Sequence, residues 1–181
     1  MNQGSIEYDF MCSLLHSVFY WIFQKLYILK GGCTLMRIIA SGTFDRLHDG
    51  HKFFLGEAFH RGFVMIGLCA DPMITHKPLS SMVYPYERRR KDLVEYLAGE
   101  GYVHGEDFLI LKIEDAYGFA DDREDIDAIL VTPDVRENAE KINEIRRSKG
   151  WNDLEIIEIS LLKDQKGIIS STRMRKEEKC E

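Results

Sequence analysis

Ser41-Gly42-Thr43-Phe44-Asp45-Arg46-Leu47-His48-Asp49-Gly50-His51 follows directly on the apolar β-formers Ile38, Ile39 and Ala40 and runs on into a helical pattern. A strand, a short flexible turn and a helix in that order put the turn at the carboxyl end of a strand. In an open parallel sheet that is where ligands bind. The turn also carries two histidines, three residues apart, to the start of a helix, where free N–H groups and the helix dipole favour anions. Taken alone, the pair leaves three readings open: an anion-binding turn, a surface histidine beside a helix-capping one, and a zinc site that lacks a third ligand at a recognisable spacing.

The chain beyond this turn repeats the same alternation. Gly50 to about Arg61 reads as a helix with Phe53, Phe54, Leu55 and Ala58 inward, and Phe63-Val64-Met65-Ile66-Gly67-Leu68-Cys69 as a strand buried on both faces. A loop with Asp71-Pro72 and Lys77-Pro78 follows, and Pro85 stands where the next helix should begin. Leu93, Val94, Tyr96 and Leu97 mark the inner face of that helix. Phe108 to Ile113 and Ala128 to Val131 read as the third and fourth strands, Val135 to Lys149 as a helix closed by Gly150, and Leu154 to Leu162 as the region of the fifth strand. The acidic stretch from Glu114 to Asp127 reads as a solvated loop or short helix rather than a site. The pattern predicts an α/β fold: a single Rossmann-like, doubly wound parallel sheet of about five strands with helices on both faces.

Composition narrows the function classes. The chain has 181 residues, 45% of them hydrophobic and 30% charged, with a formal net charge of -6. That suits one soluble domain and argues against nucleic acid as a partner, which demands a basic face. The four cysteines, Cys12, Cys33, Cys69 and Cys180, are scattered without a C-x-x-C pair, so neither a zinc site nor a disulfide framework is expected and the cytoplasm is the natural compartment.

Residues 1–35 differ from the rest. Phe10 to Leu29 is rich in large apolar residues but interrupted by Ser13, His16, Ser17, Gln24 and Lys25, which makes a spanning helix borderline, and no cation opens it as a signal peptide requires. Met36 would make a natural start, so the favoured reading places this apolar extension outside the working protein. An amphipathic anchor touching a membrane and an extra packing helix are the alternatives. The working domain is then residues 36–176, with a charged tail at 177–181.

A second phosphate-binding signature lies near the end. Gly167-Ile168-Ile169-Ser170-Ser171-Thr172-Arg173-Met174-Arg175 offers three hydroxyls at the start of a helical turn with two arginines behind them. By itself it reads equally as an N-cap before a solvated basic tail. Together with G-T-F-D and H-x-G-H it resembles the nucleotidyltransferase α/β phosphodiesterase superfamily. Pro85-Tyr86-Glu87-Arg88-Arg89, Asp115-Ala116-Tyr117-Gly118, Ile142-Asn143-Glu144-Ile145-Arg146 and Leu161-Leu162-Lys163-Asp164 are similar to phosphopantetheine adenylyltransferases of the archaeal and eukaryotic type. The resemblance covers about Met36 to Arg175. It departs after the fourth strand, where Val131-Thr132-Pro133-Asp134-Val135 stands in place of the usual Val-Ser-x-Glu-Thr, a change expected on the acceptor side.

The resemblance implies transfer of AMP from ATP to 4′-phosphopantetheine by in-line displacement. It implies catalytic roles for His51, His48, Lys77 and Thr43. It implies ATP contacts at Gly42, Thr43, Phe44, His48, Gly50, His51, Ile169, Ser170, Ser171, Thr172 and Arg175. Magnesium is expected to arrive with ATP, held by phosphate oxygens and water rather than by a dedicated protein site. Asp45 is read as structural, bonding its own backbone in the turn. In Arg88-Arg89-Arg90-Lys91, at most one arginine is expected to turn toward phosphate. Two alternatives stand beside this reading: a related transferase acting on nicotinamide mononucleotide, FMN or glycerol phosphate, and a non-catalytic nucleotide-binding module.

Overall fold

The computed structural model describes residues 35–179. The expectation for the apolar extension falls, apart from Leu35, outside the described residues. Five strands form one parallel sheet: β1 (Met36–Gly42), β2 (Gly62–Cys69), β3 (Phe108–Ile113), β4 (Ala128–Val131) and β5 (Glu155–Glu158), in the order β3-β2-β1-β4-β5. Four α-helices of the described residues accompany them: α1 (Asp49–Phe59), α2 (Tyr86–Gly99), α3 (Arg136–Ser148) and α4 (Ser171–Lys179). This is the doubly wound architecture expected from the alternation.

Side-chain alternation along the strands explains the two layers. Ile38 and Ala40 of β1, Val64, Ile66 and Leu68 of β2, and Ala128 and Leu130 of β4 point to one face. There they meet Phe54, Leu55, Ala58 and Phe59 of α1 with Leu93 and Leu97 of α2. Ile39, Met65, Ile129 and Val131 point to the other face and pack against Ala139 and Ile142 of α3. Phe53, expected inward, is instead 42% exposed, and Phe59 fills the inner face. Phe53, Phe54 and Leu55 are three in a row and span about 200° of the helix, wider than its buried stripe, so an end member faces out.

The acidic connection 114–127 forms no helix, and most of its carboxylates are exposed as expected. It nevertheless buries Ala120 and Ile126 in the second core. A small antiparallel hairpin, β6 (Lys163–Asp164) with β7 (Gly167–Ile168), follows β5 and was not foreseen. The charged residues from Glu177 to Lys179 continue α4, where Glu177 pairs with Lys166 and Glu178 with Arg46 at 2.6 Å. Residues 180–181 lie outside the described ones. No helix among the described residues is long and apolar enough to cross a membrane.

The order of strands positions the site. From β1 the sheet grows through β2 and β3 in one direction and through β4 and β5 in the other. Helices leaving β1 and β4 therefore go to opposite faces and leave a crevice at the carboxyl ends of these two strands. The histidine turn starts there, at Gly42.

Candidate active site

The turn after β1 is held in an unusual backbone. Phe44 and Arg46 adopt positive φ values of 47° and 50°, which non-glycine residues enter at a cost. Asp45 between them secures the strain. It is 0% exposed and accepts from the Tyr84 N–H at 3.1 Å, Arg46 Nη1 at 2.9 Å and Arg175 Nη1 at 2.6 Å. Asp45 thus bonds the neighbouring Arg46 and the distant Tyr84 and Arg175 rather than its own backbone.

His48 takes the N-cap position of α1, and its Nδ1 accepts a long bond from the His51 N–H at 3.4 Å. That pattern leaves the proton on Nε2, which faces Ser171 Oγ at 3.4 Å. Ser171 already donates to the Asp45 carbonyl at 2.7 Å, so it is an acceptor toward His48. The two imidazoles stack, centroids 3.9 Å apart. Gly50 permits this closeness: a Cβ there would come within 3.0 Å of His48 Nδ1 and 3.2 Å of the Ile169 carbonyl. The two signatures, more than a hundred residues apart, thus meet.

His51 is the more secluded ring. Its Nδ1 is buried without a partner among the described residues. Burial first, then the neighbouring His48 and Lys77, push its pKa down from 6.5 to about 3. His48 is also lowered, chiefly by burial and against the pull of Asp49. Both are therefore neutral donors in the ligand-free protein near neutral pH. Between about pH 3 and 6.5 the unfolded chain binds a proton that folded His51 refuses, so its stability contribution is complete above about 6.5 and is lost as pH falls toward about 3. Ligand-free melting temperatures should fall between about pH 7 and about pH 4, and fall less steeply for His51→Gln. Parallel slopes for both proteins would remove His51 as the source.

Lys77 lies in the loop after β2, and its Nζ donates to Thr43 Oγ1 at 2.5 Å. Opposite it, Ser170 Oγ accepts the Arg173 N–H at 3.3 Å, the N-cap pattern read from the sequence. Arg175, one turn inside α4, is 1% exposed. It spends Nη1 on Asp45 and Nη2 on Thr172 Oγ1 at 3.0 Å and the Pro78 carbonyl at 3.1 Å, so it braces the loop beside Lys77. Arg88, Arg90 and Lys91 are exposed. Arg89 turns inward, onto the carbonyls of Tyr84, Thr43 and Cys69 and the Asp71 carboxylate. Its donors hold the ends of β1 and β2 rather than facing either cavity.

Two cavities open from this crevice. The first, about 390 Å³, is lined by Gly42, Thr43, Phe44, His48, Gly50, His51, Lys77, Ile169, Ser170, Ser171, Thr172 and Arg175, every site residue expected from the sequence. Its other end is apolar. Phe53, Val135, Leu161 and Ile168, four of the six large apolar side chains exposed among the described residues, line it. Phe53 was the one missed signal that sequence offered, as the apolar residue that the helix could not hide. Thr132 and Asp134, in the segment that departs from the family pattern, also line this first cavity, and Val135 of the same segment lines both. The second cavity, about 290 Å³, lies beyond Thr43 and Lys77 between Asp115–Ala120 and the Asn138, Ala139 and Ile142 face of α3.

A cytidylyltransferase-like family model matches residues 39–177, from β1 through α4, and so spans both phosphate signatures in one unit. The chain belongs to the cytidylyltransferase-like family. Its relatives include the phosphopantetheine adenylyltransferase of Thermococcus kodakarensis, 40% identical over 77% of this chain and 84% of that one. The phosphopantetheine adenylyltransferase of Pyrococcus horikoshii is likewise 40% identical, over 77% and 87%. Among solved structures, a protein of unknown function from Archaeoglobus fulgidus superposes with a TM-score of 0.59 at 29% identity, covering 68% of this chain and 89% of its own.

Proposed function

We propose that this chain transfers the adenylyl group of ATP to 4′-phosphopantetheine, giving dephospho-coenzyme A and pyrophosphate. The relatives' names support the substrate pair. The observation that carries the mechanism is the Lys77–Thr43 contact of 2.5 Å at the wall the two cavities share. A nucleotide in the first cavity and a phosphate acceptor in the second would have their phosphates meet at that contact.

In this reading the triphosphate lies across the starts of α1 and α4, held by the hydroxyls of Ser170 and Thr172, whose own protons are unspent, and by helix N–H groups including that of Ser171. The nucleobase takes the apolar end. An acceptor phosphate oxygen attacks the α-phosphorus, the bond to the β-phosphate oxygen breaks, and pyrophosphate leaves. A phosphomonoester with a second pKa of about 6 is already largely ionised at neutral pH, so no base has to remove a proton. The protein's work is positioning and charge stabilisation. Neutral His48 and His51 donate to phosphate oxygens. Lys77, donating to Thr43, leaves that hydroxyl's own proton free for phosphate and its remaining N–H groups for the incoming anion.

Among the described residues no three His, Cys, Asp or Glu side chains gather to hold a metal. Magnesium would arrive with ATP, held by phosphate oxygens and water, where it would neutralise phosphate charge.

Pyrophosphate release on mixing the protein and ATP with each candidate acceptor tests the proposal. Release with 4′-phosphopantetheine and not with nicotinamide mononucleotide, FMN or glycerol phosphate is the expected outcome. Silence with 4′-phosphopantetheine would overturn it, and silence with all four would favour the non-catalytic module.

A further inference from the structure

Three arginines are fully buried: Arg89, Arg146 and Arg175. Arg89 and Arg175 each reach a carboxylate, Asp71 and Asp45. Arg146, on α3, takes five backbone carbonyls instead. Nε donates to Asn152 at 2.9 Å, Nη1 to Ala120 at 2.9 Å and Arg123 at 2.6 Å, and Nη2 to Glu124 at 3.1 Å and Ile126 at 3.4 Å. The Trp151 ring covers the guanidinium at 5.4 Å. Four of the five carbonyls belong to the irregular connection 120–126. Burying a cation is costly unless dipoles replace its water, and here the loop's own carbonyls do so. Loop shape and charge solvation are therefore one arrangement, and the loop cannot open without stranding the charge.

The part of the connection just ahead of these carbonyls is a wall of the second cavity. Asp115 folds it by accepting the N–H groups of Tyr117 and Gly118 at 2.9 and 2.7 Å. Gly118, with φ of 59°, lies so close to the end of β3 that a Cβ would meet Ile113 Cγ2 at 2.8 Å. The facing wall is Ala139 and Ile142, two turns and one turn ahead of Arg146 on the same helix. The first cavity touches neither wall.

We infer that Arg146 is a positioning residue for the acceptor: its guanidinium clamps the 120–126 backbone to α3 and so fixes the width of the cavity that takes the pantetheine arm. The inference rests on the second cavity being the acceptor site. Lysine keeps the charge but has one nitrogen and cannot fork to five carbonyls. Arg146→Lys should raise the KM for 4′-phosphopantetheine about tenfold or more, while the KM for ATP stays within about twofold. Hydrogen exchange on the wild type supplies a second measurement that needs no variant to fold. Amides across 115–126 should slow with 4′-phosphopantetheine and not with ATP. Unchanged KM values in folded Arg146→Lys, an equal rise in both, or no added protection in 115–126 would overturn the clamp. Wild-type turnover separates the two levels. A wild type inactive on 4′-phosphopantetheine sinks the acceptor reading and the clamp with it, whereas an active one with an unchanged acceptor KM in the variant sinks the clamp alone.

Discussion

Replacing His51 by alanine should lower kcat about a hundredfold or more while changing ATP affinity only a few-fold, the scale of losing one donor aimed at a transition state. The expectation follows from where the ring sits and what it lacks. Nδ1 is buried with no partner among the described residues, a cost that a folded protein tolerates where a ligand completes the bond. Held at a pKa of about 3, the ring is a neutral donor, and little of its bonding strength is spent before charge builds on the α-phosphate. On the proposed reading, ground-state grip comes from elsewhere, from the Ser170 and Thr172 hydroxyls and two helix starts, so ATP should still bind. Single-turnover rates with saturating ATP, beside ATP titration of the same variant, measure the split. A near-wild-type rate would take His51 out of the mechanism, and an affinity loss as large as the rate loss would make it a plain binding residue.

How much of this was legible depends on the range of the interaction. β1, its turn and α1 announce themselves because the apolar period changes within a dozen residues, and the change itself locates the ligand end of the strand. The two-layer core follows from alternation in β1, β2 and β4 by the same local logic. Contacts across more than a hundred residues were not legible from the residues alone. Nothing in either stretch says that Ser171 sits against His48, and only the family resemblance joined them. Arg175 shows the limit from the other side: a cation one turn behind three hydroxyls reads the same whether it faces phosphate or a buried carboxylate. Its guanidinium went to Asp45, and in doing so it braced Lys77's loop. The 114–127 connection misled through composition. Its acids do face solvent, but Ala120, Ile126 and the grip of Arg146 make its backbone a wall. The β6–β7 hairpin is two residues on each side, too short for periodicity to show.

Lys77→Met should reduce kcat/KM for the acceptor about a hundredfold or more, the other large effect expected of this site. Two polyanions must bring their phosphates into contact, and each close pair of charges repels by several kcal/mol at a partly screened surface, about 4 kcal/mol at 4 Å. Of the residues lining both cavities (Ser41, Gly42, Thr43, Lys77 and Val135), Lys77 alone carries a charge. It is also fixed rather than merely near. Its N–H donates to the Ile74 carbonyl at 3.1 Å, the next carbonyl, Pro78, is held by Arg175, and Nζ rests on Thr43. A pre-placed cation loses little entropy when the second phosphate arrives, so its benefit appears at the encounter of the two substrates. Thr43→Val separates charge from placement. It removes the hydroxyl that orients Nζ and keeps the cation, so it should cost about tenfold, the worth of one hydrogen bond near a charge. If Thr43→Val equals Lys77→Met, the lysine acts only through Thr43. If Lys77→Met keeps its acceptor kcat/KM within a few-fold of wild type, the phosphates meet elsewhere and the shared wall of the two cavities is not the reaction centre.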